Sequence, residues 1–236
     1  MESVTASQVR FDLSRQSVRE LNAFLHEWEP AETGESLVVE VANPNGMHSL
    51  AVGLNARIRV EILGHAGYFI GGMNALAEIV VHGNVGWSVA ENIMSGSVRV
   101  KGCASECAGA SGHGGLVVIE GDASSRCGIS LKGSDVVVGG NVGHMSAFMA
   151  QAGRMVICGD AGPNLGDSLY EAVIYVRGKI HSLGTDAKEE PMEPADHAIV
   201  EKLLATAGFK YSPREFRRIG SARKLYHWHA GAAHHY

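Results

Sequence analysis

The chain has 236 residues, 45% of them hydrophobic and 19% charged, with a net charge of −5. That is enough chain for one large domain or two small ones, and the acidic balance excludes a global basic field for nucleic acid or an anionic membrane. No apolar run reaches the ~18 residues of a membrane span, and the outlier is glycine: thirty residues, about 13% against a usual ~7%.

The N-terminal stretch MESVTASQVRFDLSR has no apolar core of the kind a secretory signal carries, so a cytoplasmic location is expected. In keeping with that, Cys103, Cys107, Cys127 and Cys158 follow no zinc spacing and read as free thiols of a reducing compartment. Ser17 and Glu20 form a capping-box pattern ahead of an apolar stripe, Val18, Leu21, Phe24 and Leu25, at helical spacing. Residues 1–36 are therefore expected to be a helical extension that caps one end of the fold or docks on its side. SLVVEVANPNG then reads as a strand and turn. Asn45 lies 19 residues before Gly64, where an imperfect first coil is expected.

From there the sequence repeats. Gly64, Gly83, Gly102, Gly121, Gly140, Gly159 and Gly178 follow one another at intervals of 19 residues, without insertion or deletion. Small residues also recur three, seven and thirteen positions later. Each glycine is preceded by a short β-rich run: VEIL, IVVH, VRVK, VVIE, VVVG, MVIC, IYVR. The residues four and two before the glycine are apolar in every copy (Val60 and Ile62, Val98 and Val100, Val117 and Ile119, for example). Alternate strand residues share a face, so these two columns point inward. The column between them, Glu61, Val80, Arg99, Val118, Val137, Val156 and Tyr175, points outward and is mostly apolar, which suits burial against a partner. The residue after the glycine, often Asn or Asp, suits a sharp turn.

A 19-residue strand-and-turn unit cannot bury its apolar face alone but can do so stacked on copies of itself. The expected fold is all-β: a right-handed parallel β-helix over residues 37–185, of about seven coils and roughly 34 Å long at one strand spacing per coil. The seven glycines read as structural corner residues, needed where φ is positive or where coils pass too close for a side chain. A dinucleotide-binding loop is disfavoured, because such a loop occurs once, between a strand and a helix. A left-handed hexapeptide helix is disfavoured because 19 is not a multiple of six.

Beyond Gly178 the pattern decays, and GTDAKEEPMEP reads as an exposed linker. Pro194 opens a helix whose apolar face is Ile199, Val200, Leu203 and Leu204, with Gly208 at its C-cap. Ser212 to Glu215 is a second capping box with proline at the first helical position. Residues 186–236 are thus expected to be a helical tail. Its cations contrast with the acidic chain, and Arg214, Arg217, Arg218, Arg223, Lys224 and Trp228 are the candidate partner-contact residues.

No catalytic, cofactor-binding or metal site is assigned. His65, His82, His113, His144 and His181 occupy five different positions of the repeat, and His227, His229, His234 and His235 cluster only in the tail. The thiols are too scattered for an iron–sulfur cluster, and no nucleophile elbow appears. A carbohydrate-active β-helix would need carboxylates converging on an outer face, which the apolar outward column does not offer.

The repeated GxxGxxxG signature, with GHAGYFIGG at 64–72 and GDAGPNLG at 159–166, resembles the C-terminal GXGXG β-helix domain of the glutamate synthase large subunit. The resemblance covers about residues 37–185, and the tail FRRIGSARKLYHW resembles free-standing forms of that domain in split complexes, N-methylglutamate synthase among them. It implies a non-catalytic subunit of a hetero-oligomer. Its partners would be an amidotransferase-like subunit and an FMN-binding glutamate-synthase-like subunit, with FMN, and any iron–sulfur cluster, on the latter. A second resemblance is to the glycine-repeat subunit of formylmethanofuran dehydrogenase and of the formyltransferase/hydrolase complex.

Overall fold

The computed structural model describes residues 6–28 and 36–223. The central feature is a parallel β-solenoid of about seven turns. Its strands β3 (Ile58–Leu63), β4 (Glu78–Val81), β5 (Ser97–Val100), β6 (Leu116–Ile119), β7 (Lys132–Val138), β8 (Ala152–Ile157) and β9 (Val173–Val176) lie side by side in sequence order. The register is 19 residues from Val60↔Ile79 through Met155↔Ile174. The one irregularity is between Lys132 and Asp135, where β7 meets β8. A second, shorter parallel ladder runs through Val85, Ala104, Ala123, Val142, Ala161 and Ile180.

The two inward columns fill the interior. Val60, Ile62, Ile79, Val81, Val98, Val100, Val117, Ile119, Val136, Val138, Met155, Ile157, Ile174 and Val176 are all buried in one continuous core. Each fully buried aliphatic side chain contributes about 1.5–3 kcal/mol relative to exposure, so the stack is held chiefly by this core.

Both flanks extend the sheet as well as carrying helices. β1 (Ala6–Asp12) pairs in parallel with β2 (Ser36–Ala42), which pairs in parallel with β3. The expected helical extension thus begins with a strand, and the sheet starts well before residue 37. β2 to β3 is offset by 21 residues rather than 19 (Leu37↔Ile58), although Gly46 still bonds His65 at 19. The first coil therefore holds two extra residues. Helix α1 (Val18–Glu27) has the expected capping box, with Ser17 and Glu20 bonded reciprocally. It buries Leu21 and Leu25 on the end of the core, with Phe24 against Phe11. Asn22 fixes it there by donating to the Ser49 carbonyl and accepting from the Ala51 N–H.

At the other end, β10 (Ala187–Glu190) leads into α2 (Pro194–Ala207), which ends at Gly208 in a left-handed C-cap (φ 83°). The second helix expected in the tail is a single 3-10 turn, Pro213–Glu215, followed by β11 (Arg217–Ser221). β11 inserts antiparallel between β9 and β10 and closes the sheet. The capping box is present but nucleates only three residues, because the backbone beyond it satisfies the open edge of β9 instead.

Candidate functional site

One cavity of about 500 Å³ gathers ionisable groups, Lys188, Glu189, Glu190, Glu193, Asp196 and Arg218. Within it Lys188 pairs with Glu190, and Arg218 with Glu190 and Asp196, which leaves the faces of the rod as the more informative surfaces. The glycine column forms a straight file. Gly102 donates to Gly83, Gly121 to Gly102, Gly140 to Gly121, Gly159 to Gly140 and Gly178 to Gly159, all at 2.9–3.1 Å. A Cβ on Gly83 would lie 2.7 Å from the carbonyl carbon of Gly64, and one on Gly121 2.9 Å from the carbonyl oxygen of Gly102. Among the seven only Gly64 has positive φ; the others are glycine because coil passes against coil. The positive-φ positions fall instead five, seven and nine residues after the glycine, and thirteen after it at Gly96, Gly115 and Gly153. They include Ser88, Ala90 and Asn92 in one coil and Cys107, Gly109 and Ser111 in the next.

Beside the file runs a polar ladder. The side chain after each glycine accepts the N–H of its counterpart one coil on: His65 from Asn84, Asn84 from Cys103, Cys103 from Asp122, Asp122 from Asn141, Asn141 from Asp160 and Asp160 from Lys179. Most of these bonds are 2.6–2.9 Å; the Cys103 thiol makes the long one, 3.4 Å. The sequence suggested sharp-turn residues here, but none of them has positive φ. They cap otherwise unpaired N–H groups along an edge of the rod, and Asn, Asp, His and Cys all qualify because each offers an acceptor.

The outward strand column is the main correction. It was expected to meet a partner, but from Arg99 to Tyr175 the chain's own α2 covers it. Val118, Val137, Val156 and Tyr175 form one cluster with Val200, Leu203, Leu204 and Ala207 of α2 and with Phe216. Arg99 holds the C-terminal end of the helix by donating to the Ala207 and Thr206 carbonyls, where the helix dipole favours a cation. At the other end, Tyr175 Oη donates to Asp196 at 2.6 Å, and Asp196 also accepts from Arg218. Burial, then the bond to Asp196, raises the Tyr175 pKa.

The candidate contact residues are mostly engaged internally. Arg217 pairs with Glu189 and donates to the Gly178 carbonyl, Arg218 pairs with Glu190 and Asp196, and Arg223 with Asp186. Arg214 is exposed and makes no ion pair among the described residues. Lys224 and Trp228, like the tail histidines, lie outside the described residues.

The carboxylates are spent similarly. Glu61 binds Arg59 and His82 on the outer face of β3, and Glu120 binds Arg99 and Lys101. Among the described residues no three His, Cys, Asp or Glu side chains group closely enough to hold a metal ion. Cys127 and Cys158 are buried, with thiols pushed up to about 12 by desolvation, whereas Cys103 is exposed. No described helix is long and apolar enough to cross a membrane.

Protein GlxC of Rhizobium meliloti (strain 1021) is 50% identical to this chain over 226 residues, 95% of the chain and 98% of that protein. The chain belongs to the GlxC family. No family model and no solved structure matches it.

Proposed function

We propose that the chain is a non-catalytic, glutamate-synthase-related subunit that joins an amidotransferase-like subunit to an FMN-binding synthase subunit, and that the complex is an N-methylglutamate synthase. The carrying observation is the solenoid itself: a 19-residue glycine repeat whose interior is packed with aliphatic side chains. One outer face is covered in part by its own helix, and many of its ionisable groups are paired with each other. Such a body suits a rigid spacer. It would fix the distance between the reaction centres of the two flanking subunits. The complex would exchange methylamine for the amino group of glutamate and release ammonia, with the flavin on the synthase subunit.

Co-expression of the tagged chain with the two subunits tests this. The expected result is a stable complex with flavin absorbance that forms N-methylglutamate from methylamine and glutamate, while the chain alone is colourless and inert. A monodisperse chain that retains neither subunit, or that turns over a substrate unaided, would overturn the proposal.

A further inference from the structure

Exposed apolar side chains are not spread evenly over the rod. Of eight large exposed hydrophobic residues among those described, six lie between Leu63 and Met94, on the first two 19-residue coils. Trp87, 63% exposed, stands one coil beyond Tyr68, and the two are brought into register where the Phe69 N–H bonds the Trp87 carbonyl at 2.8 Å. On the same coils, the Met94 N–H bonds the carbonyl of Asn74, the residue after Met73, at 2.7 Å. Apart from Leu63, at the end of β3, these residues sit on the turns, away from the strand positions that α2 covers.

The segments that carry these residues are net acidic. Residues 67–76, 86–95 and 105–114 contain no lysine or arginine and two carboxylates, Glu91 and Glu106. Glu106 stands one coil beyond Trp87; after burial, Glu106 and Glu91 push the Cys107 thiol up, while Arg126 on the next coil opposes them. An exposed Trp, Tyr and Met cluster bordered by carboxylates has the composition of an interface core with an acidic rim.

We infer that the turn face of the first two coils, centred on Trp87 and Tyr68, is the docking surface for one flanking subunit, whose matching face presents apolar side chains between lysines or arginines. The inference rests on the proposed joining role and names where one of the two joints lies. Aromatic anchors of this kind carry most of the binding energy of an interface, while the charged rim sets association rate and salt sensitivity.

The test is recovery of the two identified subunits on the tagged full-length chain. Trp87→Ala is expected to lower recovery of one subunit by roughly tenfold or more, to spare the other, and to leave the melting temperature unchanged. Glu91→Lys with Glu106→Lys, which leaves the apolar packing intact, is expected to weaken the same subunit and abolish the salt dependence of its capture. Met149→Ala, an exposed change three coils away, should do neither. If wild type and all variants recover both subunits equally, this inference is wrong and the joining role stands. If the wild-type chain recovers neither subunit, both fall. A purified chain that is dimeric as wild type and monomeric as Trp87→Ala would overturn it by giving the patch to a second copy.

Discussion

Arg99 Nη1 donates to the Ala207 carbonyl oxygen at 2.9 Å, joining two residues 108 apart in the chain. The bond ties the end of α2 to the outer face of β5, and Glu120 steadies the same guanidinium at 3.1 Å. Replacing Arg99 by methionine keeps much of the stem but leaves the last carbonyls of α2 without their cation. We expect a loss of about 2 kcal/mol, the scale of a hydrogen bond to a charged group. Chemical denaturation reads the loss, and faster amide exchange confined to α2 locates it. A uniform rise in exchange across the solenoid would contradict the assignment.

The glycine file gives a contrast between two glycines. Gly121 has no room, since its Cβ would meet the Gly102 backbone and the Cys103 sulfur at 3 Å or less. Gly46 has positive φ (74°) but open space around it. Gly121→Val is expected to cost more than about 2 kcal/mol through overpacking and to reduce assembly with the proposed partner subunits. Gly46→Ala is expected to cost only the left-handed penalty of about 1–2 kcal/mol. Equal melting temperatures for the two variants would refute the crowding argument.

Asp12 is held at a pKa of about 2, below its ordinary 3.8, first by the Asn43 amide and then by Ser14. A carboxyl lowered on folding contributes stability above pH 3.8 and loses it as pH falls towards 2. Asn43→Ala should move the Asp12 titration back towards 3.8, as read by NMR of the side-chain carboxyl. An unmoved midpoint would show that Asn43 is not the principal cause.

Thiol labelling tests the placement of the cysteines. At about pH 8 the exposed Cys103 should react first and the half-buried Cys107 more slowly. Cys127 and Cys158, with thiols pushed up to about 12, should react only on unfolding. Four equally fast thiols in the native protein would mean that the coils do not close around positions 127 and 158.

The solenoid was readable because its period never slips between Gly64 and Gly178, so that one strand assignment fixes the rest. The inward columns followed from alternation alone. The polar ladder did not, because the acceptor role of Asn84 or Asp122 appears only once neighbouring coils are in register. The apolar face of α2 and the valine column of the strands were each legible separately, but their meeting is a long-range event that no local pattern encodes. β1 and β11 fall outside the repeat, and the capping box at Ser212 pointed to a helix that tertiary pairing overrode. The cations of the tail were visible as a charge reversal; their partners Asp186, Glu189, Glu190 and Asp196 lie in or next to the segment that the linker composition marked as exposed.

Units that touch only their neighbours come apart one rung at a time. Because α2 rests on β6, β7, β8 and β9 together, through Val118, Val137, Val156 and Tyr175, no one of these rungs can open without releasing the helix from the others. The C-terminal half of the rod will therefore melt as one cooperative block. The first coils, without such a brace, will be the part that yields first under heat or force.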